Sequence, residues 1–169
     1  MGNNFVDYNF LDYCFIRKLN ASELRFRDVC VSRGFSVTKS DRSSDMYEHW
    51  DFKVNDSLVD VKGLKRISRS NSEFSTDYTW VEFKNVRGQK GWLQGIANYI
   101  AFEQLDHFLI VGRLDLLHYC QSSISKELVQ SSKDSYYKLY SRAGRKDIIS
   151  LISLSLLKKH VKTWLLKFS

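Results

Sequence analysis

Between Trp50 and Leu64 the chain carries two short runs of alternating apolar and polar residues separated by a pair of turn formers, and this stretch leaves the fewest conformations open. Trp50, Phe52 and Val54 alternate with Asp51 and Lys53, Asn55-Asp56 follows, and Leu58 to Leu64 is a second run rich in Val. A period of two on both sides of an Asn-Asp pair reads as a β-hairpin. With a two-residue loop Val54 faces Ser57, which sets Asp51 opposite Asp60 with Cβ atoms about 4.5 to 5.5 Å apart. Lys62 lies two residues beyond Asp60 and projects from the same face. Two carboxylates so placed repel each other, whereas a divalent cation between them makes the pairing favourable, because Mg²⁺ is held by one or two carboxylates with waters and phosphate oxygens. An ammonium beside such a pair can orient water or offset negative charge growing in a transition state. The plainer alternative is a polar, half-exposed hairpin face on which Lys62 neutralises one aspartate.

Around the hairpin, a helix is expected from Ala21 to Arg33, with Asn20 as N-cap, Glu23 at N3 in a capping-box-like arrangement and Gly34 as the stop. Glu23, Phe26 and Cys30 share one stripe, so a carboxylate interrupts the side that should face a sheet. Glu23 either completes the capping box or points toward the Asp51/Asp60 pair, and both hold if the helix N-terminus approaches that pair. Strands are expected at Phe35–Lys39, Thr79–Asn85, Asn98–Phe102, His107–Val111 and Ile148–Ile152, with a helix at Leu114–Ile124. Leu157, Val161, Trp164, Leu165 and Phe168 follow the apolar stripe of a closing amphipathic helix, with Lys158, Lys159, Lys162 and Lys167 on its other side. Strands interleaved with helices, one helix at each end, describe an α/β or α+β domain around a mixed sheet. No proline, repeat or linker marks a boundary within the 169 residues, so one domain is expected.

The net charge of +7 is unevenly placed. Signs balance up to Tyr137, and from Lys138 to Ser169 eight basic residues face one acid, Asp147. A one-sided basic segment attracts a phosphate backbone, although charge runs also occur as solvated faces. Cys14, Cys30 and Cys120 are odd in number and widely spaced, which indicates neither a disulfide framework nor a zinc cluster. The N-terminus lacks the layout of a signal peptide, and apolar stretches fall short of the roughly 20 residues of a membrane span. A cytoplasmic location with no membrane association is the expectation.

The order of a helical Glu23, then Asp51, then Asp60-Val61-Lys62 resembles the PD-(D/E)XK superfamily of restriction-endonuclease-like nucleases. Glu48-His49-Trp50-Asp51-Phe52, Val59 to Lys65, and Gly91-Trp92-Leu93 with Tyr99 to Glu103 resemble its small phage-encoded members. Trp50 stands where the signature proline would be. The resemblance implies a restriction-endonuclease-like core and Mg²⁺, with Mn²⁺ able to substitute, bound by Asp51, Asp60 and the main-chain carbonyl of Val61. Lys62 would activate water, Glu23 would assist, and no organic cofactor is implied. The substrate implied is DNA, cleaved by an endonuclease of homing, junction-resolving or mismatch type and most simply by a homodimer, since a duplex requires two cuts.

Lys65, Arg66 and Arg69 after the catalytic strand, and Arg87, Gln89 and Lys90 in a glycine-containing loop, are candidate nucleic-acid contacts, joined by Lys158, Lys159 and Lys162. His49 beside Asp51 is a candidate orienting group, and Asp45 and Glu48 are reserve acidic ligands. Two other readings stand beside the DNA endonuclease: a nucleic-acid-binding module whose acidic cluster is structural or decayed, and an RNA-directed nuclease, since nothing in the sequence reads a 2′-hydroxyl.

Overall fold

The computed structural model describes residues 20–65 and 74–169, and its elements are numbered in chain order. The first helix, α1 (Ala21–Ser32), begins where Asn20 accepts the Glu23 backbone N–H at 2.9 Å. It ends in a Schellman motif: Gly34, at φ +80°, donates to the Val31 carbonyl, and Phe35 donates to that of Cys30. Strand β1 (Val37–Lys39) leads through a single π-helical turn, Ser44–Glu48, into the hairpin of β2 (Phe52–Val54) and β3 (Ser57–Lys62). Asn55 takes the left-handed conformation of the hairpin turn, φ +50°, and its side chain accepts from the Ser36 N–H, which ties the turn to the start of β1.

After β4 (Tyr78–Lys84) come β5 (Tyr99–Glu103), β6 (His107–Gly112) and α2 (Arg113–Ser123). The remainder is β7 (Ser125–Val129), β8 (Lys138–Tyr140), β9 (Ile148–Ser153), α3 (Leu154–His160) and β10 (Thr163–Lys167). The fold is α+β, with a six-stranded mixed sheet in the order β1-β2-β3-β5-β6-β10. Only β3 and β5 within it run parallel.

Both faces of the six-stranded sheet are covered. On one, Phe26 and Cys30 of α1 pack on Phe52, Val59, Val61, Ala101 and Phe108, with the Phe26 and Phe108 rings edge to face at 5.2 Å. On the other, Ile100, Phe102, Leu109 and Val111 join Leu116, Tyr119, Ile152 and Leu157 in a larger core. Because side chains alternate along β3, Val59 and Val61 commit one face to α1, and Asp60 and Lys62 are left on the opposite face.

Two expectations are corrected. The strands do not form one sheet: β4, β9, β8 and β7 make a second, four-stranded sheet. Residues 125–140 contribute two of its strands, although they carry little apolar alternation. The expected closing helix does not form over its full length. Helix α3 stops at His160, and Thr163–Lys167 pairs antiparallel with β6 along its whole length, from Thr163 opposite Val111 to Lys167 opposite His107. The apolar spacing fitted a helix, but β6 offers a free edge, and a strand there lets Leu166 and Phe168 reach the α1-side core. The Phe168 ring meets that of Phe108 at 5.3 Å. Among the described residues no helix is long and apolar enough to cross a membrane.

Candidate metal and phosphodiester site

The hairpin register is the expected one from Val54 opposite Ser57 to Phe52 opposite Val59. At Asp51 the ladder shifts. Its backbone N–H donates to the Val59 carbonyl at 2.9 Å, and its side-chain Oδ2 accepts the Val61 N–H at 2.7 Å. Asp51 therefore folds over residues 59–61 instead of lying flat across from Asp60, and both aspartates are buried, at 6% and 3% exposure.

Asp60 Oδ1 is 2.7 Å from Lys62 Nζ, whereas Oδ2 is buried and meets no donor among the described residues, with the Asp51 carboxyl within bonding reach of the protonated form. Burial raises the Asp60 carboxyl to about 7; the Lys62 ammonium pulls it down and the adjacent Asp51 pushes it up. A lone pair buried without a partner costs on the order of 1–3 kcal/mol, more when the group is charged. The Lys62 ammonium is fixed on its other side by the Trp92 ring, 4.9 Å to the centroid. Trp92 is itself a core residue rather than a free stacking platform.

Glu23 reaches the same region from the first turn of α1, where its carboxylate is 2.9 Å from Lys39 Nζ. That ammonium is also 3.3 Å from Asp51 Oδ1. Burial raises the Glu23 carboxyl, opposed by its bond to Lys39 and reinforced by Asp51. Glu23 also accepts from the side-chain amide of Asn20, the residue that caps α1, so its carboxylate touches both the helix start and Lys39. Glu103 at the end of β5 anchors the helix, accepting hydrogen bonds from Ser22 and Arg25 of α1 and from the Leu64 N–H after β3. The close approach needs Gly63, since a side chain there would run into Ser22 Oγ.

The sequence alone does not single out Lys39 or Glu103. Strand register would not supply Lys39 either: opposite Phe52 it shares that residue's face, and it meets Asp51 where the ladder shifts at the start of β2. Glu103 is given away only by the parallel pairing of β3 with β5.

The remaining candidates fall into groups. Arg87, Gln89 and Lys90 are exposed on the turn after β4, where the Asn85 side chain accepts the Arg87 and Gln89 N–H groups. His49 bonds the Lys90 carbonyl at 3.1 Å, so its ring ties this turn to the residues before the hairpin instead of holding Asp51. Lys146 of the basic tail packs against the same turn, its N–H donating to the Val86 carbonyl. Glu48 accepts from the Trp50 indole N–H, and the exposed Asp45 lies within electrostatic reach of Glu23 and Lys39. Burial and the neighbouring Lys62 lower the Lys65 pKa. Arg66 and Arg69 lie outside the described residues. Lys158 and Lys159 are exposed on the last turn of α3, and Lys162 follows it with its ammonium 5.2 Å from the Trp164 ring centroid.

No family model, no curated protein and no solved structure matches this chain. The site must therefore be judged on its own donors. Among the described residues no group of three or more His, Cys, Asp or Glu side chains converges as a metal cage. What the site holds is a buried carboxylate pair with one unpartnered oxygen, next to a fixed ammonium. That suits a hydrated divalent cation taking one or two carboxylates and completing its shell from water, a carbonyl and phosphate oxygens. It does not suit zinc, which favours Cys and His ligands.

Proposed function

We propose that this chain is a Mg²⁺-dependent DNA endonuclease on a restriction-endonuclease-like core, with Asp51, Asp60 and the Val61 carbonyl as the metal-binding groups. The observation that carries the reading is the unpartnered, buried Oδ2 of Asp60 beside Asp51 and Lys62. The core assignment is supported by α1 packed on the β2–β3 hairpin with β5 parallel to β3.

A bound divalent ion supplies Lewis acidity at a phosphate oxygen and lowers the pKa of an attacking water. The protein's own groups do the rest. Lys62, held between Asp60 and the Trp92 ring, presents ammonium protons to the water or to a phosphate oxygen as negative charge builds. Asp51 is fixed by the Val61 N–H and Lys39, and Asp60 by Lys62, so both carboxylates are held in place. Glu23 extends the negative field from α1. Arg87, Gln89 and Lys90 stand at the tip of a turn tied to His49, where they can hold the DNA backbone, with Lys158, Lys159 and Lys162 adding affinity. Cutting a duplex requires two such sites, met by a homodimer.

A structural role for the cluster has one observation in its favour, because both Asp51 oxygens already have partners in the protein. Incubating the full chain with linear, supercoiled and four-way-junction DNA, with and without Mg²⁺, separates the readings. Cleavage that requires Mg²⁺ is expected. Binding to DNA with no cleavage in Mg²⁺ or Mn²⁺ refutes the nuclease and leaves a binding module, and preferential cleavage of RNA would move the substrate class.

A further inference from the structure

The Lys39 ammonium sits between two carboxylates from different elements, 2.9 Å from Glu23 of α1 and 3.3 Å from Asp51 before β2. The three side chains are 9–12% exposed, and the lysine stem crosses the Phe52 ring with Nζ 4.9 Å from its centroid. This is a built arrangement: β1 is hydrogen-bonded to β2 on the strand side, the Ser40 N–H donates to the Asp51 carbonyl, and α1 closes over the top. The ammonium thus bridges a carboxylate of α1 and a carboxylate of the hairpin.

We propose that Lys39 substitutes for a second divalent ion, so that the site works with one metal on the Asp51–Asp60 side and a protein ammonium on the Glu23–Asp51 side. This inference rests on the metal-dependent reading of the site. Glu23, Asp51 and Asp60 set three carboxylates against the two ammonium groups of Lys39 and Lys62, a net charge of −1 when all are ionised. One divalent ion brings the cluster to +1. A second would bring it to +3 in a largely buried space, with Lys39 already at the carboxylate oxygens it would need. With the lysine made neutral, the cluster at −2 accommodates two ions.

Calorimetric titration of the full chain with Mn²⁺, and with Mg²⁺ in parallel, reads this directly. The wild type should take up one ion per chain. Lys39→Met, which keeps the stem over Phe52 without the charge, should take up two, and Lys39→Arg should remain at one. Lys39→Gln serves as a second neutral variant should the methionine not fold, as judged by circular dichroism. Two ions in the wild type, or one in a folded neutral variant, overturns the proposal while leaving the metal site standing. No uptake of either ion by the wild type overturns the metal-dependent reading and this inference with it.

Discussion

Replacing Asp60 by asparagine removes a buried charge while keeping the shape of the side chain, and the cost of that charge can be worked from its surroundings. In the folded protein burial raises the carboxyl from 3.8 to about 7. At 1.36 kcal/mol per pH unit the ionised form is disfavoured by about 4 kcal/mol relative to the unfolded chain. For an acid with a raised pKa the native state holds its proton where the unfolded state has lost it, so stability falls as pH rises between about 4 and 7. Metal-free wild type should therefore lose about 2 to 3 kcal/mol between pH 5 and pH 8 through this group alone, the remainder being lost below pH 5. Asp60→Asn should lack that component. Urea unfolding of both proteins in chelator, at pH 5 and pH 8, reads it as the difference between the two, in which titrating groups remote from Asp60 cancel and Lys62 and Asp51 count with it. The variant should gain on the wild type by about 2 to 3 kcal/mol as pH rises. A stability difference independent of pH, or a variant that loses ground at pH 8, would show that Asp60 is an ordinary ion-paired aspartate and that its unpartnered oxygen carries no strain.

Three further outcomes follow from the packing. Neutralising Lys158, Lys159 and Lys162 together should weaken DNA binding and reduce the salt slope by roughly 0.9 for each phosphate no longer neutralised, with turnover at saturating DNA nearly unchanged; all three are exposed, so circular dichroism should not change, and parental affinity and slope would mark this face as merely solvated. Glu103→Ala should cost about 2 kcal/mol in urea unfolding, since it strips the acceptor shared by Ser22, Arg25 and Leu64, and an unchanged midpoint would remove it as the anchor of α1. Burial pushes the Cys30 thiol up to about 11 and that of Cys120 to about 12, so both should resist iodoacetamide at pH 8 in the native protein; rapid labelling found by peptide mass mapping would contradict the packing.

The hairpin was legible because its determinants are local: alternation sets which residues share a face, and Asn55-Asp56 sets the loop length. The same locality explains the good placement of α1, whose cap and stop lie within two residues of its ends. What escaped depends on partners distant in the chain. Strand β4 could be read as a strand, but that it pairs with β9 and not with the hairpin is decided by residues some seventy positions later. In β7 the side chains of Ser125, Lys126 and Glu127 are exposed, so no apolar period announces a strand. Trp164 and Leu165 fell on a helical stripe with Leu157 and Val161, yet both are exposed on an edge strand, because completing β6 outweighs local periodicity. In the candidate site, Asp51, Asp60 and Lys62 come from one hairpin and could be brought together on paper. Lys39 could not, since its role requires β1, β2 and α1 to meet.

The proposed nuclease chemistry is tested most directly by following wild type and Lys62→Ala through a Mg²⁺ titration, with melting temperature and DNA cleavage measured on the same samples. Metal binding to the native state should raise the melting temperature of both by mass action, because Lys62 supplies no ligand. Only the wild type should cut DNA. Cleavage by Lys62→Ala at the wild-type rate, or melting temperatures in both that do not respond to Mg²⁺, would contradict the account.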